Sequence, residues 1–349
     1  MRAGTYLISY TSPLPKGFYM LYPTTRSFLV TVGPGCSVDA TTGASCSGGN
    51  INDLNFAITN SMPWIQTYGM DIRFDNGFTD LLPTSTACGG GSYASGTNST
   101  FASPGIVFSG DTSSDFGQGS PSNAGWRVGG LSYPEVYGGS SGLKTSTQNL
   151  LASAQKAGIT IQSLDSFATC NNPGTSCNLQ GLPKGFYHTT GDLKINSSVN
   201  FANGNYVIVA DGNITIINKN TNITVSNGST LILAAGRDIV VDQTVSASSN
   251  SCPDPSVSGQ LEGVFSADRN IIISGNNGNC LSGADKMLNI DGSLIVNAAK
   301  LSGNLQNQRD LCGDNPSYPA FTVTARPDFF LNTPGFMTQQ YNIIREETP

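Results

Sequence analysis

Acidic and basic residues recur at one point of a repeated unit in the second half of the chain. Aligning the repeats on their first apolar residue gives two adjacent columns, Asp211, Gly236, Asp268 and Asp291 in one and Gly212, Arg237, Arg269 and Gly292 in the other, with Asp238 beside them. Carboxylates that converge with an arginine base, sometimes around calcium, can cleave polysaccharides. At a solvent-facing turn the same side chains pair with each other and with the backbone, at about 0–1 kcal/mol per exposed pair. Because structural pairs imitate catalytic ones, we favour the second interpretation and assign no catalytic, cofactor-binding or metal-binding residue.

The other candidates for chemistry are a lone histidine and the aromatic residues. His188 is the only histidine, so a Ser-His-Asp or Cys-His mechanism would depend on one group that has no recognisable partner motif. Trp64, Trp126 and the 12 tyrosines could form a platform that stacks on sugars, although aromatic residues are more often buried in cores. Carbohydrate binding therefore stays an alternative, and nothing in these residues requires an enzyme.

The charge of the chain excludes two classes of partner. The 17 basic and 23 acidic residues give a net charge of −6, and the basic residues form no cluster. Nucleic acids and anionic membrane surfaces both need clustered positive charge. We therefore expect no nucleic-acid partner, and the lack of an 18-residue apolar run predicts no direct insertion into a membrane. A charged fraction of 11% with 41 glycines is typical of extracellular β-rich proteins.

The elements that carry these residues repeat along the chain. Five stretches share one form, a Gly or Arg and a polar residue followed by apolar residues two apart: 191–195, 212–216, 237–241, 269–273 and 292–296. A spacing of two is the side-chain period of a strand with one buried face, so the apolar pairs should stack into an interior ladder. Their first apolar residues lie 21, 25, 32 and 23 positions apart. A solenoid tolerates such irregular steps, because insertions emerge at its corners.

A second apolar run precedes three of these stretches. The runs are Tyr206–Val209, Thr230–Leu233 and Gly263–Phe265, and corners of small residues follow them. Gly, Asn and Asp suit such turns, since glycine reaches positive φ cheaply and Asn and Asp bond their own backbone. We predict an all-β fold, a single-stranded parallel β-helix (β-solenoid) with one flanking helix, long Gly/Ser-rich loops and a periphery clipped by disulfides.

The chain divides into five predicted segments. Residues 1–50 should form an N-terminal β-module or cap, and residues 51–349 the solenoid. Within the solenoid we expect early coils at 51–130, a loop and a helix at 131–181, regular coils at 182–300 and a C-terminal capping segment at 301–349, which would cover the edge of the last coil. The helix should run from Leu143 to Ala157, with Gly158 as its terminating residue.

Eight cysteines are best explained as disulfides. None has a Cys-x-x-Cys or Cys/His ligand spacing, which makes zinc unfavourable. Short separations suggest Cys36–Cys46 and Cys170–Cys177, and Cys252–Cys280 would clip a corner insertion, which leaves Cys88 and Cys312 as a pair by elimination. Disulfides imply an oxidising compartment.

An exported chain should begin with a leader peptide, and this one begins with a strand-like run instead. Residues 1–6, MRAGTY, lack the basic and apolar regions of a leader, so we expect a mature or truncated chain. Asn98, Asn196, Asn213, Asn222 and Asn227 stand in glycosylation sequons. In an Asn- and Thr-rich β-protein they are better explained as turn and surface residues.

Several phrases resemble those of uncharacterised exported cell-surface proteins from small-genome bacteria of the candidate phyla radiation and their neighbours. The phrases are PWIQT at 63–67, GMDI at 69–72, PGIVFSG at 104–110, QNQRDL at 306–311, RPDF at 326–329 and the ending EETP. A family pattern with Gly-Gly-Asp is Gly69-Met70-Asp71 here. The resemblance, over about residues 50–349, implies a solenoid that ends a longer exported protein, and it carries over no catalytic residue.

Two functions from different classes follow as expectations. In the first, the protein is an extracellular structural or adhesive β-solenoid at the cell surface, a subunit of a surface filament that associates with itself or with a neighbouring surface protein. In the second, it is a β-helix that binds or cleaves a polysaccharide. The low charge, the single histidine and the disulfides favour the first.

Overall fold

A computed structural model describes the second half of the chain almost continuously and the first half in short stretches. The described residues are 143–219, 221–252, 257–277 and 284–337, and before them 4–9, 19–22, 27–33, 37, 45–47, 50–52, 57–59, 62–69, 72–74, 80, 82–83, 85–90, 92–95, 107–109, 116–117, 119–122 and 127–129. Among the described residues, no helix is long and apolar enough to cross a membrane.

Among the described residues, fourteen strands precede the helix α1 (Thr147–Lys156). They are β1 (Gly4–Ser9), β2 (Tyr19–Tyr22), β3 (Ser27–Val32), β4 (Ser45–Ser47), β5 (Asn50–Asn52), β6 (Ala57–Thr59), β7 (Ile65–Tyr68), β8 (Ile72–Phe74), β9 (Ser85–Thr86), β10 (Gly89–Gly90), β11 (Ser92–Ser95), β12 (Val107–Ser109), β13 (Ser120–Ser122) and β14 (Arg127–Gly129). The pairs β1–β3, β2–β6, β4–β5 and β9–β10 are antiparallel.

In the described part of the second half, two α-helices and fourteen further strands follow. They are α1 (Thr147–Lys156), β15 (Ile161–Ser163), β16 (Gly185–Thr189), β17 (Leu193–Ile195), β18 (Val199–Phe201), β19 (Asn205–Ala210), β20 (Ile214–Ile216), β21 (Ile223–Val225), β22 (Thr230–Ala235), β23 (Ile239–Val241), β24 (Leu261–Ala267), β25 (Ile271–Ile273), β26 (Leu288–Ile295), β27 (Leu305–Asn307), β28 (Phe321–Thr324) and α2 (Pro327–Leu331).

Five of the shortest strands form one parallel ladder, β17-β20-β23-β25-β27, called the short ladder below. Ile214 pairs with Ile239, and Ile239 with Ile271, so the first apolar residues of the repeats lie over one another. All three are fully buried in one core. The predicted interior stack is confirmed for 193–195, 214–216, 239–241 and 271–273.

The fifth predicted repeat is assigned to the wrong ladder. Leu294 lies in β26 and pairs with Phe265, and the fifth strand of the short ladder is β27, in which Leu305 pairs with Ile271. The stretch 292–296 has the same alternation as the true repeats, because a strand in either ladder must bury every second residue. The pattern alone therefore could not separate the two ladders.

A longer parallel ladder faces the short one across the core. Its order is β13-β11-β7-β28-β26-β24-β22-β19-β16-β15, called the long ladder, and β18 and β21 extend the same sheet at one side. The inner face of the long ladder shares the core of the short ladder, while Val207, Val209 and Ile232 on its outer face pack with Leu150 and Ala154 of α1. Parallel strands covered on both faces read as continuous apolar runs, which explains Tyr206–Val209 and Thr230–Leu233.

The predicted helix is confirmed with a shorter extent, Thr147–Lys156. Ser146 caps its amino end by accepting a hydrogen bond from the Asn149 backbone N–H. Gly158 has φ +68°, a left-handed conformation that terminates the helix at little cost for glycine.

The spatial order of the strands differs from their order in the chain. The last strand, β28, pairs with β7, so the early strands β7, β11 and β13 continue the long ladder beyond its carboxyl-terminal end. Within residues 301–349, β27 and β28 are ladder strands, and β7 pairs with β28; residues 338–349 lie outside the described residues, so the capping role of this segment stays a prediction. α2 lies against β22.

Two disulfides join described cysteines. Cys170–Cys177 is confirmed. Cys88 is bonded to Cys252, with 5.1 Å between their Cα atoms, so the predicted pairs Cys252–Cys280 and Cys88–Cys312 are wrong. The reason is the strand order, because stacking β7 on β28 brings the segment at Cys88 beside the loop that follows β23. Disulfides indicate an oxidising environment.

The other four cysteines stay predictions or are known only in part. Cys312 is disulfide-bonded. Cys36 and Cys280 lie outside the described residues, and of Cys46 only the backbone, in β4, is described.

The described part of the chain is mostly β, built on parallel sheets with two α-helices and disulfides.

Candidate functional site

The predicted column of acids and arginines separates into groups with different environments. Asp211, Gly236 and Asp268 do stack, since the Gly236 N–H bonds the Ala210 carbonyl and the Asp268 N–H bonds the Ala235 carbonyl. Arg237 and Arg269 are exposed to solvent. Asp291 is not in this column, because it lies in the middle of β26 and pairs with Glu262 and Thr324. The arrangement does not bring these carboxylates together around one point.

Asp268 positions the flanking helix. Its carboxylate accepts hydrogen bonds from the Thr147 backbone N–H (3.3 Å) and the Thr147 hydroxyl, at the first turn of α1. Burial raises the pKa of Asp268, and the two hydrogen bonds from Thr147 partly oppose that rise. A carboxylate at a helix amino terminus is stabilised by the helix dipole. Asp268 therefore acts as a structural anchor between α1 and β24.

Asp211 pairs with the only histidine. The His188 Nε2 lies 2.9 Å from Asp211 Oδ1, and the two side chains are 24% and 45% exposed. An ion pair at that exposure contributes little to stability. His188 lies in β16 and Asp211 directly follows β19, the neighbouring strand of the long ladder, and the hydrogen bonds described for the pair include no nucleophile.

A third column, one residue after the column of Gly212, Arg237 and Arg269, carries a repeated hydrogen bond. We call this series of hydrogen bonds the corner ladder. The backbone N–H of each coil donates to the Asp or Asn side chain of the coil before it: Asn213 to Asp192 (2.7 Å), Asp238 to Asn213 (3.2 Å), Asn270 to Asp238 (3.0 Å) and Asn304 to Asn270 (2.9 Å). These residues stand directly before the short-ladder strands. The Asp/Asn of the repeat is thus a connector between coils, a role that its position before every apolar pair indicates in retrospect.

A buried arginine holds the loops at the carboxyl-terminal end of the stack. The Arg309 side chain is fully buried, and its guanidinium donates to the carbonyls of Lys286 (2.9 Å), Val245 (3.0 Å) and Asp242 (3.3 Å). Desolvation lowers the pKa of Arg309 to about 10, although Asp285 and Asp242 nearby oppose that effect. Asp285, also buried, accepts from the backbone N–H groups of Asn276 and Asp310, both at 2.8 Å.

A second buried ion cluster lies where β28 ends. Arg326 forms two parallel hydrogen bonds with Asp328, each 2.8 Å long, and a third bond of 3.1 Å with Glu262. Glu262, only 3% exposed, also accepts from the Val225 N–H at 2.6 Å. The Arg326 guanidinium lowers the pKa of Asp328, and the carboxylates of Asp328 and Glu262 in turn raise the pKa of Arg326. The three charged groups saturate one another, with an excess of one negative charge.

A pocket of about 200 Å³ opens next to this cluster, on the outside of β26 and β28. Its polar lining includes Ser248, Ser249, Gln260, Asn289, Asp291 and Thr324. The loop wall of the pocket contains Cys252 and is therefore tied to Cys88 by a disulfide. The pocket thus combines hydroxyls, amides and one carboxylate on a ladder surface with a cross-linked rim.

Asp291 is the one carboxylate among the described residues of this pocket lining. It accepts a hydrogen bond of 2.7 Å from the Gly259 N–H. A Cβ at Gly259 would lie 2.7 Å from the Asn289 carbonyl oxygen, so the close approach needs glycine. Burial raises the pKa of Asp291 to about 6; Glu262 adds to the rise, while the Gly259 hydrogen bond and Arg326 oppose it.

Sequence reasoning missed this pocket and placed Asp291 at a corner. The stretch Leu288-Asn289-Ile290-Asp291 alternates apolar and polar residues, and Leu288 and Ile290 are fully buried. That alternation could have shown two polar side chains on the outer face of one strand. Nothing in the sequence around residues 247–258 marks the opposite wall.

The other sequence candidates have structural environments or are not described. Trp64 is fully buried, and its indole N–H donates to the Asn315 carbonyl at 2.8 Å, so it is a core residue rather than a sugar platform. Trp126 and Asn98 lie outside the described residues. Asn213 belongs to the corner ladder, Asn196 bonds Ser176, and Asn222 and Asn227 are exposed. Within the described part of the chain, no group of three or more His, Cys, Asp or Glu side chains could hold a metal ion.

Comparison with known proteins gives one partial match. A family model described as "Domain of unknown function (DUF7305)" matches residues 142–280. This is less than half of the chain, from just before α1 to just beyond β25. No curated protein and no solved structure matches the sequence.

Proposed function

We propose that the chain is an extracellular, cell-surface β-solenoid with a structural or adhesive role. In this proposal the short ladder, the long ladder and the strands at its side are the faces of one coil, repeated along an axis. Their shared apolar core supports this, as do the parallel pairings between successive repeats. Stacked repeats give a rigid, extended body, which suits a displayed or filamentous protein.

The corner ladder is the observation that carries the structural role. An enzyme on this stack would need free carboxylates that converge at one place. Instead, Asp192 and Asp238 each bind the backbone of the next coil, and Asp268 binds α1. The polar residues that could do chemistry at the corners thus connect coils and hold the helix.

Two exposed apolar residues of α2 are the best candidates for self-association. Phe330 is 72% exposed and Leu331 is 87% exposed, and both project from the flank of the stack. Exposed apolar groups side by side mark contact surfaces. We propose that they contribute to the association of this chain with itself or with a neighbouring surface protein.

Localisation and self-association are tested separately. Antibodies against the purified chain should label intact cells of the organism that encodes it, and labelling only after permeabilisation would contradict surface display. The purified protein should sediment as polymers at increasing concentration. Replacing Phe330 and Leu331 with serine should shift it toward the monomer, while the matched replacement Thr333→Ser should not.

The second candidate, a carbohydrate-binding β-helix, is favoured by the polar pocket alone. The pocket lining offers one carboxylate, Asp291, and the nearby Glu262 is buried and bound by Arg326. That arrangement is suited to holding a ligand more than to cleaving one, since two-carboxylate hydrolysis needs both groups at the bond. A search for release of reducing sugar from polysaccharides tests the enzymatic version, and we expect none.

A further inference from the structure

Among the described residues, the charges around the pocket are not balanced. Arg326 is the cation whose charge lowers the pKa of Asp291. Its guanidinium is already engaged by both oxygens of Asp328 and by Glu262. The three carboxylates and one guanidinium leave a local excess of two negative charges at neutral pH. A partly buried carboxylate in this setting attracts a cation, because burial weakens the solvation that would otherwise stabilise its charge.

The remaining lining of the pocket suits hydroxyl groups. Ser248, Ser249 and Thr324 offer hydroxyls, which both donate and accept, and Gln260 and Asn289 offer amides. Two of these amides are already oriented by the fold: Gln260 Oε1 accepts from the Asn289 N–H at 2.9 Å, and Asn289 Oδ1 accepts from the Thr322 hydroxyl at 2.8 Å. Because both amide oxygens are engaged, the amide N–H groups are the part of these two side chains that can donate to a ligand. Neighbouring hydroxyls of a sugar ring are such acceptors.

The size and rigidity of the pocket limit the ligand. A volume of about 200 Å³ is smaller than the roughly 300–1,000 Å³ of pockets for drug-sized ligands. It is suited to a single ring rather than to a long stretch of polymer. The floor is a ladder surface, and on the opposite side Cys252 is tied to Cys88 by a disulfide, so these described parts of the site are held in place before a ligand arrives.

We propose that this pocket binds one sugar residue that carries a free ammonium group, with Asp291 as the partner of the ammonium and the serine and amide side chains as partners of the ring hydroxyls. Such a residue is a component of a partly deacetylated polysaccharide. The inference depends on the pocket alone and adds a ligand to the structural role, so polymer formation and sugar binding can fail independently.

The test is a calorimetric titration of the full disulfide-bonded chain at pH 7 with three probes. Glucosamine carries the ring and the charge, N-acetylglucosamine carries the ring without the charge, and propylamine carries the charge without the ring. Glucosamine should bind about tenfold or more tightly than either, as expected when a charge-assisted hydrogen bond adds to the contacts of the ring. Equal affinity for glucosamine and either of the other probes, or no binding of glucosamine, would overturn the proposal.

Variants then locate the binding. Asp291→Asn keeps an acceptor for the Gly259 N–H but removes the charge, and it should reduce glucosamine affinity about tenfold. Asp192→Asn is the matched control, because Asn occupies the same corner-ladder position in two other coils, and its affinity should equal that of the unchanged protein. Ser249→Trp, at an exposed position of the lining, should abolish binding without disturbing the core. Unchanged affinity in Asp291→Asn or in Ser249→Trp would exclude the pocket.

A pH series gives an independent readout. Because the pKa of Asp291 is raised to about 6, lowering the pH from 7 to 5 should protonate it and weaken glucosamine binding. Asp291→Asn should show no such pH dependence over this range. An identical pH profile in both proteins would place the ammonium elsewhere.

Discussion

The regular coils and the loop-bearing end of the stack are held together in different ways. From β17 to β25 the coils are linked by buried Ile and Val residues inside and by the corner ladder outside. The connections that follow β23, β25 and β27 are longer, and buried ions lie at or next to them: Arg309 near Asp285, and Arg326 with Glu262. The difference shows that the repeat fixes the ladders, whereas individual buried charges fix the insertions.

The largest expected effect comes from the buried arginine of the loop-bearing end. Arg309→Met leaves the backbone carbonyls of the surrounding loops without their hydrogen-bond donor and Asp285 without its neighbouring cation. Removing one partner of a buried ionic cluster lowers the free energy of unfolding by about 3–5 kcal/mol. Urea denaturation should show this loss in the free energy of unfolding. The control is Arg269→Met, an exposed arginine at a regular corner, which should cost under about 0.5 kcal/mol. Equal effects for the two variants would remove the distinction between the regions.

The regular coils should depend on apolar packing instead. Ile239→Ala removes a fully buried side chain from the middle of the short ladder, and such truncations cost about 2–5 kcal/mol. Val240→Ala, on the opposite face of the same strand and half-buried, should cost clearly less. Thermal and urea unfolding of both variants measure the difference. A larger effect at Val240 would mean that the strand faces the other way.

The outer face of the loop-bearing end should show a pH dependence that comes from Asp291. The pKa of Asp291 in the folded chain, about 6, lies above the model-compound value of 3.8 that applies when the chain is unfolded. The folded state therefore binds the proton more tightly, so the contribution of Asp291 to stability falls as the pH rises from about 4 to 6. Asp291→Asn should remove this loss, worth up to about 3 kcal/mol, and gain stability relative to the unchanged protein at pH 7 but not at pH 4. A constant difference across this range would contradict the burial of the carboxylate.

The smallest effect sharpens the account of the regular coils. Asp238→Ala removes the acceptor for the Asn270 backbone N–H and side-chain amide. By analogy with helix caps, which satisfy a backbone N–H in the same way, the loss should be about 0.5–2 kcal/mol. Asp238→Asn should be nearly neutral, since Asn already serves at the same position of neighbouring coils. If urea unfolding gives the same free energy for Asp238→Ala and Asp238→Asn, the corner hydrogen bond does not contribute to stability.

The predictability of the fold follows the same division. Leu193, Ile214, Ile239 and Ile271 could be placed in one stack because a strand buries every second residue and each repeat preserves that spacing. Leu294 was misplaced because the long ladder obeys the same rule. Local signals also located α1, through Ser146, the apolar positions and Gly158.

The long-range arrangement could not be derived in this way. No local pattern indicates that β7 pairs with β28, about 256 positions away in the chain. The predicted cysteine pairs are incorrect because this long-range strand pairing is not visible in the sequence. The roles of Arg309 and Asp291 likewise depend on loops from distant segments meeting in space. Of the candidate site, the sequence indicated Asp291 as a residue of interest and neither its neighbours nor its pocket.

The distance between spin labels on the outside of the short ladder tests the central claim most directly. Lys194 pairs with Thr215, Thr215 with Val240, Val240 with Ile272, and Ile272 with Gln306. Four steps of about 4.8 Å place the backbone at Lys194 and Gln306 about 19 Å apart. Electron paramagnetic resonance on the chain with Lys194→Cys and Gln306→Cys should give a narrow distribution near that value. A broad distribution, or a mean beyond about twice that distance, would contradict stacked coils.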